Sequence, residues 1–437
     1  MSEASATTAT DTAAVRTRDD CRLCGKTNLE KVWSFGPTPL ANSYLLPEEV
    51  GQPEVMAPLD IYHCRDCHLV QLRDVVNPDL LFKNYLYVSS TSPSFVSHFE
   101  DYANTLVDRF RLTANDLVVD IGSNDGVLLK PLKEAGVQIL GVDPAQNIAA
   151  TATAAGIPTM AEYFTPEVAK GVLKEHGPAR VITANNVFAH SDDIDTFVEA
   201  AKTLLDDNGV FVIEVQYLGT LLRDNLFDIV YHEHTNYYHL TPLVSYFAGK
   251  GLEVFDVEQP AVHGGSLRVY VQRTDGPHRR EAAVGALLAQ EAKQGLNDLL
   301  IYRQFSERIA ENKQKIRQII DEAKAAGKRV VGFGAPAKAT TLMYAFGLTG
   351  DDIEYIVDDA PLKQGRVMPG THIPIYPAEA LYGDLPHYAP AGATRDKPDY
   401  CVILAWNFAE PIMKNNQSFI NQGGTWIVPV PEPRVIN

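Results

Sequence analysis

The stretch Leu117-Val118-Val119-Asp120-Ile121-Gly122-Ser123-Asn124-Asp125-Gly126 reads as a buried strand running into a tight turn, and the following VLLKPLKEAG has helical spacing. Small residues in such a turn let the backbone and a helix N-terminus approach a ligand closely. The next apolar run ends in Gly141-Val142-Asp143-Pro144. That places a carboxylate about 20 residues after the first glycine, where Rossmann-like folds hold ribose hydroxyls. Further outward, the runs RVITANN, GVFVIEV and LRVYVQ alternate with helical stretches, which predicts βαβ units and a mainly parallel sheet. A tight βα turn without a ligand is the alternative reading of the same residues.

At 437 residues the chain exceeds what one core usually supports, so two or three domains are expected. With 45% hydrophobic and 21% charged residues it belongs among globular proteins. No apolar run is long enough to span a bilayer, and the N-terminal segment lacks the apolar centre of a signal peptide, so a cytoplasmic location without membrane partners is expected. A net charge of -17 leaves no excess of cations for phosphates and argues against nucleic-acid binding. The expected division is a disordered tail at 1–20, a Pro-rich zinc-binding unit at 21–88, an α/β unit at 89–278, and a helical connector with a second α/β unit at 279–437. The oligomeric state stays open, a monomer included.

Cysteines give the first chemical signal. Cys21-x-x-Cys24 and Cys64-x-x-Cys67 form two pairs, with Cys401 left in an apolar run. Four thiolates in two knuckles suit a tetrahedral, structural zinc, and a Pro-rich segment with little core of its own gains most from such a clip. A redox CxxC and a disulfide are the competing readings.

The second α/β unit opens with Gly332-Phe333-Gly334-Ala335-Pro336-Ala337, a GxGxxA turn, and its next strand closes on Asp358 and Asp359. On pattern alone this is a better dinucleotide fingerprint than GSNDG, so an NAD-dependent oxidoreductase is the main alternative among enzymes. Lys338, Lys363 and Arg366 suit a terminal diphosphate instead. A non-catalytic nucleotide-sugar-binding protein is a third possibility.

The segment Tyr231-His232-Glu233-His234 offers groups able to move protons near neutral pH. A strand would point Tyr231 and Glu233 to one face and His234 to the other, so convergence needs a loop or bulge. The HEH spacing would also suit a metal. His190, Asn185 and Asn186 end another predicted strand, where α/β sheets bind ligands.

The GSNDG turn resembles motif I of class I S-adenosylmethionine-dependent methyltransferases, with Asn124 where the generic pattern has glycine. CxxC…HCxxC, DIGSNDG, ANNVFAH, YHEH and HGGSLRVY occur in that order over nearly the full chain. Together they resemble the C-methyltransferases of nucleotide-linked 4-keto-deoxysugars. The resemblance implies a class I methyltransferase Rossmann-like domain between a small zinc-binding domain and a second Rossmann-like domain. It also implies S-adenosylmethionine and structural zinc as cofactors, and a nucleotide-diphosphate-linked keto-sugar methylated at a carbon beside the ketone, C-3, on the way to a branched deoxysugar. His234 would then be the base that generates an enolate, with Tyr231, Glu233, His190 and Tyr85 around the sugar. Asp120, Gly122, Asn124, Gly126, Asp143, Pro144, Asn185, Glu162 and Phe164 would hold the cofactor, the last two near its adenine. His263, Gly264, Gly334, Lys338, Asp358 and Lys363 would hold the nucleotide sugar, and Cys21, Cys24, Cys64 and Cys67 the zinc.

Overall fold

The Pro-rich N-terminal segment is built largely from strands. A computed structural model describes residues 14–82, 89–91 and 93–437. Here β1 (Val15–Thr17) pairs with β5 (Asp74–Val76), and β2 (Leu29–Pro39), β3 (Met56–Cys64) and β4 (Val70–Leu72) form an antiparallel sheet. Proline tolerates these positions because β2 is an edge strand whose register breaks between Ser34 and Pro37, and β4 pairs only with Ile61–His63, beyond Pro58. The reading of residues 1–20 as a tail needs correction at its end. Residues 15–17 are held as a strand, with Thr17 donating to Asp74 at 2.6 Å.

The central sheet contains β6 (Leu117–Ile121), β7 (Gln138–Val142), β8 (Thr159–Met160), β9 (Ala179–Asn185), β10 (Leu205–Gln216), β12 (Leu252–Glu258) and β13 (Ser266–Arg273). Their order is β12-β13-β10-β9-β6-β7-β8. All run parallel except β13, which is antiparallel to both neighbours. Residues of β6 and β9 are buried on both faces, as a sheet with covering helices requires. Between β10 and β12 the chain leaves this sheet, and β11 (Asn236–Tyr237) becomes the fourth strand of the N-terminal sheet by pairing with β4.

The third sheet is β16-β15-β14-β17-β18-β19, from β14 (Val330–Phe333), β15 (Ile356–Val357), β16 (Ile375–Tyr376), β17 (Tyr400–Ile403), β18 (Thr425–Val428) and β19 (Arg434–Ile436). It is parallel up to β18, which pairs antiparallel with β19. The direction of winding reverses at β14, and the crevice beyond its C-terminal end is where such sheets bind ligands.

The connector is two helices, Ala282–Gln294 and Leu299–Ala325, separated by Gly295 in the left-handed region. The longer one buries Tyr302, Phe305, Ile309, Ile316 and Ile320 at helical spacing. It braces all three units: Trp33 packs on Tyr302 and Phe305 with centroids 6.1 and 5.1 Å away, Arg308 reaches the Leu222 carbonyl, and Asn312 donates to Pro431 O at 2.7 Å. One apolar cluster accordingly runs through Leu59 and Ile61, Val119 and Ile182, and Leu342 and Ile356.

Candidate active site

Beyond β6 the turn 122–126 takes a shape that its residues explain. Gly122 has φ 68, and a side-chain carbon there would sit 2.8 Å from Val187 Cγ2. Asn124 has φ 49, a region asparagine tolerates better than most residues, which accounts for its standing in for glycine. Asp143, at the end of β7, ties the turn down: its carboxylate accepts from Asn124 N at 2.8 Å and from Ala145 N, just past Pro144, at 2.9 Å. Burial raises its pKa, against those two hydrogen bonds. Asp120 is buried beside it and accepts from Thr183 Oγ1 at 2.6 Å and Asn185 Nδ2 at 3.2 Å. Burial, with a smaller contribution from the Asp143 charge, pushes Asp120 up to about 7. Ser123 Oγ and Asn185 Oδ1 are buried without a protein partner. Carboxylates and orphaned polar atoms around a glycine turn fit the ammonium, carboxylate and ribose of S-adenosylmethionine. Gly126 closes the turn by donating to Ser123 O at 2.9 Å. Glu162 is exposed beyond β8, whereas Phe164 packs against Phe197 with centroids 5.7 Å apart. Phe164 is half-buried, packed against the edge of the core.

Tyr231–His234 is a turn, closed by His234 N donating to Tyr231 O at 2.9 Å. That supplies the convergence a strand would forbid. The Tyr231 and His234 rings lie with centroids 4.1 Å apart, and the His190 ring stacks 5.2 Å from that of His234. His234 Nδ1 is 2.6 Å from Ile229 O. A carbonyl can only accept, so Nδ1 carries the proton and Nε2 keeps its lone pair. Burial pushes His234 down to about 4 and lowers His190 well below the usual imidazole range. His232 turns the other way and bonds through Nε2 to Ala57 O at 3.1 Å. Glu233 is buried and accepts from Asn42 Nδ2 at 2.6 Å. Tyr85 lies outside the described residues. Of His263 only the backbone is described, in the short turn Val262–Gly264 before β13.

The third sheet presents the crevice at β14 to this same turn. Thr341, on the helix Ala337–Phe346, donates to Val230 O at 2.7 Å, and Lys338 on that helix lies 4.0 Å from Asp228 and 3.8 Å from the Trp406 ring centre. Burial lowers Lys338 to about 8, opposed by the Asp228 charge. Gly334 has φ 85 and packs against Ala405 so closely that no side chain would fit. Asp358 accepts from Ala335 N at 2.6 Å and Ala360 N at 2.8 Å, and Lys363 and Tyr44 both donate to Ala335 O, at 2.8 and 2.6 Å. The crevice thus collects two ammonium groups beside a backbone turn, a donor set that suits phosphate oxygens.

The four cysteine sulfurs lie within 4.8 Å of one another, with Cys21 to Cys67 at 3.4 Å and Cys24 to Cys64 at 3.6 Å. Sulfurs about 2.3 Å from a zinc ion form a tetrahedron with edges of about 3.8 Å, so the donor set fits zinc. Among the described residues no second such group forms, and the two histidines of HEH bond different carbonyls, His232 that of Ala57 and His234 that of Ile229.

Sequence reasoning missed Asn42, Tyr44, Asp228 and Trp406, which connect the three units around the turn. It also missed His98, whose ring reaches the buried Glu214 at 3.0 Å beneath the sheet's ligand-binding edge. An acidic residue in the apolar NLFDIV was the one available hint, for Asp228.

The strand order and the turn after β6 define a class I methyltransferase fold. Residues 95–257 match the model of a methyltransferase domain, 21–82 that of a zinc binding domain, and 261–431 that of the C-methyltransferase C-terminal domain. C-methyltransferase NovU of Streptomyces niveus is 40% identical over 423 residues, 97% of this chain and 98% of its own. The chain therefore belongs to this C-methyltransferase family, with S-adenosylmethionine as methyl donor and a zinc-binding N-terminal domain. A ubiquinone biosynthesis O-methyltransferase of Bradyrhizobium diazoefficiens is 34% identical over 98 residues, 22% of this chain and 38% of its own. Magnesium protoporphyrin IX methyltransferase from Synechocystis, at 16% identity, covers 41% of this chain and 83% of its own with a TM-score of 0.32. Family membership sets aside the oxidoreductase and scaffold readings. Among the described residues no helix is long and apolar enough to cross a membrane.

Proposed function

We propose that the substrate is a nucleotide-diphosphate-linked 4-keto-deoxysugar, methylated at C-3 beside the ketone, on the way to a branched deoxysugar in the cytoplasm. One observation carries this reading: His234 is held through Nδ1 by Ile229 O at 2.6 Å, with Nε2 left as a base between the ligand-binding edges of two α/β sheets. A ketone acidifies the hydrogens on its neighbouring carbon, so a base there yields an enolate carbon nucleophile. Methylating a hydroxyl would need less.

His234 Nε2 takes the C-3 proton, and the C–H electron pair passes into the enolate. A pKa of about 4 makes His234 a weak base at rest, but a developing negative charge beside it favours the imidazolium and raises its basicity as the proton moves. Tyr231, Glu233 and His190 surround the ring and serve to orient the sugar and stabilise the enolate oxygen, together with Tyr85. Bound S-adenosylmethionine supplies an electrophilic methyl on its sulfonium. Asp143 and Asp120 hold its ribose and ammonium ends, and the residues 122–126 and Asn185 close around it. Gly334, Lys338, Asp358 and Lys363 bind the diphosphate and nucleoside, with His263 and Gly264 at the sugar.

The test is product structure. Incubation with methyl-labelled S-adenosylmethionine and a nucleotide-linked 4-keto-6-deoxysugar is expected to give a product whose NMR spectrum has the labelled methyl on carbon beside the ketone. A methyl on oxygen, or no turnover across a panel of such sugars, would overturn the reading.

A further inference from the structure

Arg22 stands in the middle of the first zinc knuckle, yet its side chain is completely buried. Burying a guanidinium is costly unless its donors are matched; Nη2 has no partner among the described residues, while Nε is matched by the segment that follows His190 and Nη1 by β4, which pairs with the segment that follows His234. Nε donates to Asp192 Oδ1 at 2.9 Å, and Asp192 stands two residues beyond His190. Nη1 donates to Gln71 Oε1 at 3.0 Å and to the Leu72 carbonyl. Gln71 faces Asn236 across the β4–β11 pair, and Leu72 N donates to Thr235 O at 2.9 Å, next to His234. The two segments are also bonded to each other. Thr235 N reaches Ala189 O at 2.9 Å, and Asn236 Nδ2 reaches Ser191 O at 2.9 Å. Arg16 and Arg18 touch Asp192 too, from more exposed positions. Arg65, the corresponding arginine of the second knuckle, is exposed and meets Glu30 at 3.6 Å.

We propose that Arg22 is a positioning residue for methyl transfer: it transmits the geometry of the zinc knuckle to the loops that carry His190 and His234. This rests on the catalytic roles proposed for those histidines. The knuckle then contributes to the rate without touching substrate, because a base displaced by about 1 Å can lose roughly 10²-fold. S-adenosylmethionine affinity is expected to change far less than the rate: Asp143 ends β7, on the far side of β6 from β9, and Asn185 ends β9 seven positions before Asp192.

The experiment uses the full chain with zinc bound and compares Arg22→Lys, which keeps the charge but loses the forked geometry, with Arg65→Ala and His234→Asn. Zinc content, S-adenosylmethionine affinity, KM, kcat and exchange of the substrate C-3 hydrogen in heavy water are measured for each. Arg22→Lys is expected to keep zinc, cofactor affinity and KM while kcat and exchange fall together by roughly 10²-fold, and Arg65→Ala to behave as the parent. Full kcat in Arg22→Lys with His234→Asn inactive would overturn this inference alone. Zinc and cofactor affinity lost together in Arg22→Lys would make the arginine merely structural and overturn it as well. Turnover by His234→Asn would instead overturn the reading of the site.

Discussion

His190 and His234 stack with ring centroids 5.2 Å apart and planes inclined by 24°. Burial keeps both neutral, and the proximity of a second imidazole lowers His190 further. Since His234 is pushed down to about 4, its base form persists throughout the neutral range. The acid limb of kcat at saturating substrates that arises from His234 should therefore lie well below the pH of about 6.5 at which a free imidazole titrates. An acid limb near 6.5 that shifts in His190→Asn would show that the pair is solvated in the working enzyme.

Asp120 gives a second pH effect with the opposite location. Its folded-state pKa is raised to about 7, by burial first and the Asp143 charge second. A cationic cofactor favours the ionised carboxylate, so affinity is full above that pH and lost as the pH falls through it. Calorimetry should find S-adenosylmethionine binding weaker at pH 6 than at pH 8, and Asp120→Asn should flatten that slope.

Ligand losses should separate by domain. Asp143→Ala removes the proposed ribose acceptor and frees the Asn124 and Ala145 amides. Lost charge-assisted hydrogen bonds cost about 1.5–3 kcal/mol, so cofactor affinity should drop by roughly 10- to 100-fold with nucleotide-diphosphate affinity unchanged. Lys338→Ala should do the reverse. Equal effects of either substitution on both ligands would contradict the assignment of the two crevices.

Elemental analysis of protein purified without added metal should find about one zinc per chain. Cys64→Ser should lower the melting temperature by roughly 10 °C, equivalent to a few kcal/mol at about 2–4 °C per kcal/mol. An active, folded sample without zinc would contradict the site.

The sequence made the local features legible: the GSNDG turn with Asp143 and the two CxxC pairs. Each is set by a few neighbouring residues with strong conformational or chemical demands. Features made by distant contacts were not legible. β11 has only two residues and no alternation to read, yet its pairing with β4 joins the turn at Tyr231–His234 to the zinc unit. That proline fits within β2 and β3 was not legible either, because edge positions and register breaks exist only in the assembled sheet. Which way an aromatic after a strand packs is likewise set by distant residues, and Phe164 meets Phe197, 33 positions on. Nothing in the sequence marks Arg22, because its partner Asp192 lies 170 positions away.

The central claim is that His234 creates a carbon nucleophile, and hydrogen exchange at C-3 tests it most directly. In His234→Asn the new amide can still donate to Ile229 O, so the turn should persist while the base is lost. Incubated in heavy water with the nucleotide-linked 4-keto sugar, the parent protein should exchange the C-3 hydrogen for deuterium. The variant should bind both ligands, with exchange and methyl transfer falling together by roughly 10²–10⁴-fold. Exchange at the parent rate in His234→Asn would contradict the account and move the base to another group.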